Sequence, residues 1–414
     1  MPFSFTMAYG GGQLSFASAV KPMMLEAREP ISHIDPPQFR QRLDQFLTQT
    51  RLDLKRPALV VADKTRLCGY PQYLPVLIEA LAARGADLAR LKIFIAYGTH
   101  ARQSEAESLA AYGPVYNQFQ WIHHQCGDDA AFETLGRTRR GTPVRLRKDL
   151  LAASDLITFG AISHHYFAGY GGGRKLIFPG LGDKAAIYAN HGLFLDRAGR
   201  RLAAGCQPGV IEGNPLAEDL VEIEAFRPAD LAIHGLLDSH GQVRDFLVGQ
   251  GAAHFQAACA RHGACCEVPC APHDLVMASC GGFPKDINFI QSHKAVHHAA
   301  AFVRDGGQLI VLAQCPDGIG SQTFLPWFEM GDWNAAFDRL AANYEGNGGT
   351  ALAMMAKTRR IRISLVTDLT AGVANTIGVE RLSPDQARER VAGHRGTLAV
   401  IPNASLVVPK VGRK

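Results

Sequence analysis

Five consecutive apolar residues, Ala58-Leu59-Val60-Val61-Ala62, end at Asp63, and the same figure returns along most of the chain. A short apolar, β-branched run bounded by polar residues is the pattern of a strand buried on both faces. Runs of that kind separated by helical patterns build a mostly parallel sheet covered by helices. Leu74 to Ala83 follows as a helix with Gly85 as its stop, then a strand at Leu91 to Ala96, a helix at Ser104 to Tyr112 and a strand at Asp155 to Phe159. Leu231 to Leu237 and Val243 to Val248 read as two more strands around Asp238-Ser239-His240-Gly241. Prolines and cysteines interrupt the rhythm between Pro269 and His273, and it then restarts. Strands are expected at Leu275 to Ala278, Gln308 to Leu312 and Ile361 to Val366, with helices at Asp286 to Ala301, Trp333 to Tyr344 and, behind Ser383 as N-cap, Pro384 to Ala392. The expected fold is α/β: two α/β domains with mostly parallel sheets and an active-site cleft between them. Residues 1–268 form the first, and residues 269–414 the second, which closes the cleft.

The chain has 414 residues, long enough for two or three cores. Its net charge of +5 is spread out, and no basic patch interleaved with aromatics argues for nucleic acid. The basic tail Lys410 to Lys414 reads as solvated. No 18-residue apolar run argues for a membrane span, and Met1 to Thr6 lacks the charged-then-apolar start of a signal peptide. Of the nine cysteines, Cys265, Cys266 and Cys270 cluster, but no second pair stands at zinc-finger distance. The cysteines therefore read as free thiols in a reducing, cytoplasmic compartment.

In open α/β sheets, ligands bind outside the carboxyl ends of the strands. Asp63, Thr65 and Arg66 follow the first strand, His100 follows the second, and His164 and His165 follow the third. Asp63 and Arg66 either pair with each other, or serve as an acceptor and as a fork for a carboxylate or phosphate. His100 and His165 occupy like positions on two strands and could face each other across a small substrate, one giving and one taking a proton. The loop Ser163 to Lys175 holds two histidines, four glycines and a lysine. Glycines such as Gly171 and Gly172 let backbone approach a ligand, and Lys175 is a phosphate partner or a covalent anchor. The loop is neither a P-loop, since Arg174 splits Gly173 from Lys175, nor a Rossmann fingerprint. His191 is a candidate metal ligand. Gln291 and Lys294 share a helix face. His293 and His297 lack the intervening glutamate of a zinc protease and are set aside.

Taken together, these motifs resemble the nickel-dependent lactate racemase family, whose members racemise or epimerise 2-hydroxyacids. The resemblance rests on Asp63 to Arg66, Gly98-Thr99-His100, Ser163 to Lys175 with Pro179-Gly180, Ala189-Asn190-His191, Gly281 to Pro284, Gln291 to Lys294 and Val366 to Leu369. It implies a nickel-pincer nucleotide: a pyridinium mononucleotide whose two sulfur arms and ring carbon hold nickel. In that reading Lys175 carries the cofactor and His191 ligands the nickel. His100 and His165 are the acid and base, and Asp63, Arg66, Gln291 and Lys294 line the site. His164 stands behind its neighbour. The partners implied are a 2-hydroxyacid and the proteins that make the cofactor.

Two departures bear on the substrate. Gly349 and its neighbours stand where the lactate enzymes have an aromatic, and Phe289-Ile290 precedes Gln291 where they have a tyrosine. Both point to a roomier substrate end and a hydroxyacid other than, or besides, lactate. A nicotinamide-dependent hydroxyacid dehydrogenase would leave Lys175 without a role, and a non-catalytic carrier of the nickel nucleotide would leave His100 and His165 without one.

Overall fold

The structure is a computed structural model that describes residues 2–269 and 271–410, so Cys270 of the cysteine cluster and residues 411–414 of the basic tail lie outside the described residues. The chain forms two compact units, and neither is continuous.

One unit comprises Glu29–Leu193 and Gly205–Cys265. Its sheet runs in the order Val243–Gly249, Leu231–Leu237, Asp155–Ala161, Pro57–Ala62, Lys92–Ala96, Gln120–His123. All neighbours are parallel except the antiparallel edge strand Val243–Gly249. Every residue of Pro57–Ala62 is buried, as an apolar run in the middle of a helix-covered sheet must be. The helix Tyr70–Ala83 buries Tyr70, Tyr73, Leu74, Leu77 and Leu81. Two of its neighbours fix the strand's end. The Ala62 N–H donates to the Tyr70 hydroxyl, which donates to the Phe159 carbonyl, while the Tyr112 hydroxyl donates to the Ala62 carbonyl, each at 2.9 Å. The backbone is therefore held firmly at the residue before Asp63.

The other unit comprises Met1–Arg28, Phe194–Ala204 and Cys266–Lys414. The strands of its six-stranded sheet, Glu380–Leu382, Arg362–Val366, Val303–Leu312, His273–Ser279, Leu398–Ile401 and Met23–Met24, are all parallel. The expected split into residues 1–268 and 269–414 differs from this at the N-terminus and at Phe194–Ala204. Met23 and Met24 pair with Ala399 and Val400, so the first 28 residues belong with the C-terminal sheet. A hairpin of Phe3–Tyr9 and Gly12–Ser18 precedes that edge strand.

Among the helices that carry no expectation from the sequence are Pro36–Gln49, Gly251–Cys266 and Gly348–Arg360. The first does have a readable signal, a capping box at Asp35 and Gln38 with Phe39, Leu43 and Leu47 four apart. The other two open on glycine and lack a strong apolar stripe.

Candidate active site

Three neighbouring parallel strands, Asp155–Ala161, Pro57–Ala62 and Lys92–Ala96, end on one edge of the first sheet described. Asp63 is the first residue past its strand and is buried. Its carboxylate accepts from the Thr65 N–H at 2.9 Å and the Thr65 hydroxyl at 2.6 Å, and it meets His100 Nδ1 at 2.6 Å. Burial opposes the charge, but the His100 and Thr65 bonds and the Arg66 charge outweigh it and hold the carboxyl at about 2. Of the two alternatives for Asp63 and Arg66, a mutual ion pair is not seen among the described residues; Asp63 pairs with His100. The Arg66 side chain is exposed at the same turn. Gly98, at the start of the His100 turn, donates to the Gly180 carbonyl at 2.8 Å, which ties that turn to the end of the glycine loop.

Ser163–His165 pairs with Gly169–Gly171 as a short hairpin. Successive residues of a strand face opposite sides. His164 accordingly lies on the Tyr170 ring at 5.0 Å, while His165 lies on the Phe167 ring at 4.6 Å. His165 Nδ1 accepts from the Ala168 N–H at 3.2 Å. Gly171 faces its hairpin partner, and a Cβ there would stand 2.9 Å from the Ser163 hydroxyl. Gly172 has φ +78°, and a Cβ would sit 2.2 Å from the Ala161 carbonyl oxygen. Part of the glycine density is thus demanded by the loop folding back on its own strand.

Lys175 sits in the turn Gly173–Leu176 with Nζ 5.9 Å from the centre of the Phe167 ring. Burial, with the charges of Arg66 and Arg174, pushes its amine down to about 7. Arg174 turns the other way, onto Phe255 at 4.7 Å. His191 closes the helix Lys184–His191, which Asp183 caps. Beside it, buried Asn190 donates to Asp219 at 2.8 Å and anchors the helix. The His191 ring lies 5.1 Å from Phe167, and burial, then the Lys175 charge, push it down to about 3, so its imidazole is neutral. Phe167 therefore touches His165, Lys175 and His191 together. Sequence reasoning gave it no role, although an aromatic between the histidine and the lysine of one loop was the available signal.

Gln291 and Lys294 belong to the other unit, on the helix Phe289–Ala300. As their spacing predicts, they share a face, with Lys294 Nζ donating to Gln291 Oε1 at 2.7 Å. Gly281 and Gly282 pack against chain: a Cβ would meet Asn403 from the first and the Gly10 carbonyl from the second. Buried Asp286, unremarked in the sequence, accepts from the Gly10 N–H at 2.8 Å. Gly349 does not leave a void. A Cβ there would lie 2.3 Å from the Tyr344 hydroxyl and 3.5 Å from the Phe194 ring, so an aromatic from elsewhere fills the space.

The lactate racemase N-terminal domain model matches residues 23–202, and the C-terminal domain model matches residues 268–348, together well over half of the chain. The chain belongs to the lactate racemase family. A lactate racemase of Thermoanaerobacterium thermosaccharolyticum is 31% identical over 280 residues, 66% of this chain and 63% of that one. The match thus spans a little under two thirds of that relative's length. The lactate racemase of Lactiplantibacillus plantarum is 28% identical over 320 residues, 76% of this chain and 72% of that one. The fold is that of the lactate racemase apoprotein from T. thermosaccharolyticum, at a TM-score of 0.86 and 22% identity over 99% of this chain and all of that one. A Thermotoga maritima protein shares it at 0.65 and 14% identity, over 92% of this chain and 99% of that one. The two family matches contain every candidate site residue between them.

Proposed function

We propose that this chain inverts C2 of a 2-hydroxyacid, lactate or a close relative, with His100 and His165 as its two proton-transfer groups. The observation that carries the reading is the opposite polarity of those histidines. His100 donates its Nδ1 proton to the Asp63 carboxylate, which leaves Nε2 as an acceptor for a hydroxyl proton. His165 accepts at Nδ1 from Ala168, so its neutral ring carries the proton on Nε2 and is a donor. For one stereoisomer His100 takes the hydroxyl proton; for the other, His165 gives up the Ala168 N–H, moves its own proton to Nδ1 and takes the hydroxyl proton at Nε2.

Lys175 and His191 fit the nickel-pincer nucleotide. An amine pushed down to about 7 is a nucleophile near neutral pH and forms an acyl bond readily, and a neutral buried imidazole is a nickel ligand. When bound, that group supplies the acceptor for the C2 hydrogen as hydride. Gly171 and Gly172 shape the loop that presents Lys175, Asp63 holds His100, and Phe167 covers the apolar side of Lys175 and His191. Arg66, Gln291 and Lys294 offer cations and an amide suited to a carboxylate or phosphate. The proteins that make the cofactor are the partners this requires. Cys68, Cys126, Cys206, Cys280 and Cys315 are free thiols, which suits a reducing cytoplasm. Among the described residues no helix is long and apolar enough to cross a membrane.

The test is stereochemical. The chain, produced together with the cofactor-synthesis proteins, is given single enantiomers of lactate, malate and aromatic 2-hydroxyacids, and products are resolved by chiral chromatography. Interconversion of at least one pair is expected. His100→Ala and His165→Ala should each lower kcat in both directions by about 10²–10⁴-fold. A cofactor-loaded enzyme that leaves every enantiomer untouched refutes the proposal.

A further inference from the structure

His262 and Cys266 stand four residues apart on the helix Gly251–Cys266, so the helix itself places their side chains on one face. His164 reaches the same place from the hairpin, with its ring 4.8 Å from that of His262 and inclined by 47°. One ligand atom from each of the three, two imidazole nitrogens and one thiol sulfur, lies within 4.8 Å of the others. His262 and Cys266 are buried and His164 is half-buried. Two histidines and a cysteine brought together from distant stretches make a donor set that helix packing does not require.

We propose that His164, His262 and Cys266 form a second metal site, for a borderline-soft divalent cation such as zinc, distinct from the His191 site. Zinc takes sulfur at about 2.3 Å and nitrogen at about 2.0–2.1 Å, so a tetrahedral ion asks its donors to stand roughly 3.3–3.7 Å apart. The three donors, within 4.8 Å of one another, draw together to that spacing on binding. The thiol gives up its proton on binding and the imidazoles bind neutral. Three protein ligands leave a fourth position for water or a small anion. The sequence hid this set because zinc-finger spacing looks for paired cysteines, whereas here the third ligand comes from a hairpin about a hundred residues upstream of the helix pair. The consequence is mechanical. His164 and His165 are consecutive and face opposite sides of the hairpin, so an ion on His164 ties the strand that presents His165 to the Gly251–Cys266 helix.

The test uses the full chain made without the cofactor-synthesis proteins, stripped by chelator, then titrated with zinc by calorimetry and with cobalt by absorption spectroscopy. One equivalent should bind, and cobalt should show a thiolate charge-transfer band together with the strong visible bands of tetrahedral coordination. Cys266→Ser should abolish the charge-transfer band, and His262→Gln and His164→Gln should each weaken binding. Cys265→Ser and His191→Ala should leave the band intact, which separates this site from the proposed nickel ligand. In the wild-type chain, zinc should protect Cys266 from alkylation mapped by mass spectrometry, a readout that needs no substitution. Absence of the band, survival of the band in Cys266→Ser, unprotected Cys266, or loss of the band in His191→Ala alone would each overturn the proposal.

Discussion

A carboxylate that is buried, doubly bonded to Thr65 and paired to a histidine does two things for that histidine. It fixes which nitrogen carries the proton, and it stabilises the ring once it becomes an imidazolium. Asp63→Asn keeps the shape and removes the second effect. The expected result is a fall in kcat of roughly 10–100-fold with little change in KM, partly restored in Asp63→Glu. Unchanged kcat in Asp63→Asn would show that His100 does not need its anion. Asp63 and His100 were both legible as strand-end residues, because an apolar run that stops at a polar residue marks the sheet edge. Their partnership was not. Asp63 and Arg66 are three apart and look paired in the sequence, whereas the long-range contact that wins depends on which strands lie side by side. His191 was legible by type, but the neutrality that suits it to a metal comes from burial that no spacing reveals.

At the scale of the element, the loop from Ser163 to Lys175 shows how one composition serves two demands. Its glycines read as a cradle for a ligand, yet Gly172 is needed first because the chain crosses Ala161 there with a positive φ. Gly172→Ala should destabilise the protein by about 1–3 kcal/mol, through left-handed backbone and a displaced carbonyl. It should also lower the fraction of Lys175 that carries cofactor in intact-mass spectra. Full loading with an unshifted Tm would mean that the loop tolerates the crossing. The strand runs of both sheets were legible for a simple reason: parallel strands buried on both faces are apolar throughout. The helix Gly251–Cys266 was not, since its alanines, cysteines and histidines carry no clear stripe, and with it the partners of His164 were hidden.

At the scale of the whole molecule, buried neutral histidines set the response to acid. Burial pushes His124 down to about 4 and His234 down to about 3, and the His234 ring has no hydrogen-bond partner among the described residues. Both are neutral in the fold, while the unfolded chain takes up protons below its ordinary value near 6.5. Stability therefore falls as pH falls from about 6.5 towards those depressed values, by up to about 1.4 kcal/mol per unit for each histidine. The urea midpoint of the unit that holds them should drop between pH 7 and pH 5, and His124→Phe, beside Phe132, should flatten the drop. A midpoint independent of pH in the wild type would contradict this. Another consequence concerns time. Among the described residues the strand Met23–Met24 pairs only with Leu398–Ile401, so during synthesis it leaves the ribosome long before its neighbour exists. At about 5–20 residues per second, the wait is roughly twenty to seventy seconds. The unit that carries His100, His165, Lys175 and His191 has all of its chain by residue 265, so its chain is complete while the other unit still waits for its last strands to be translated.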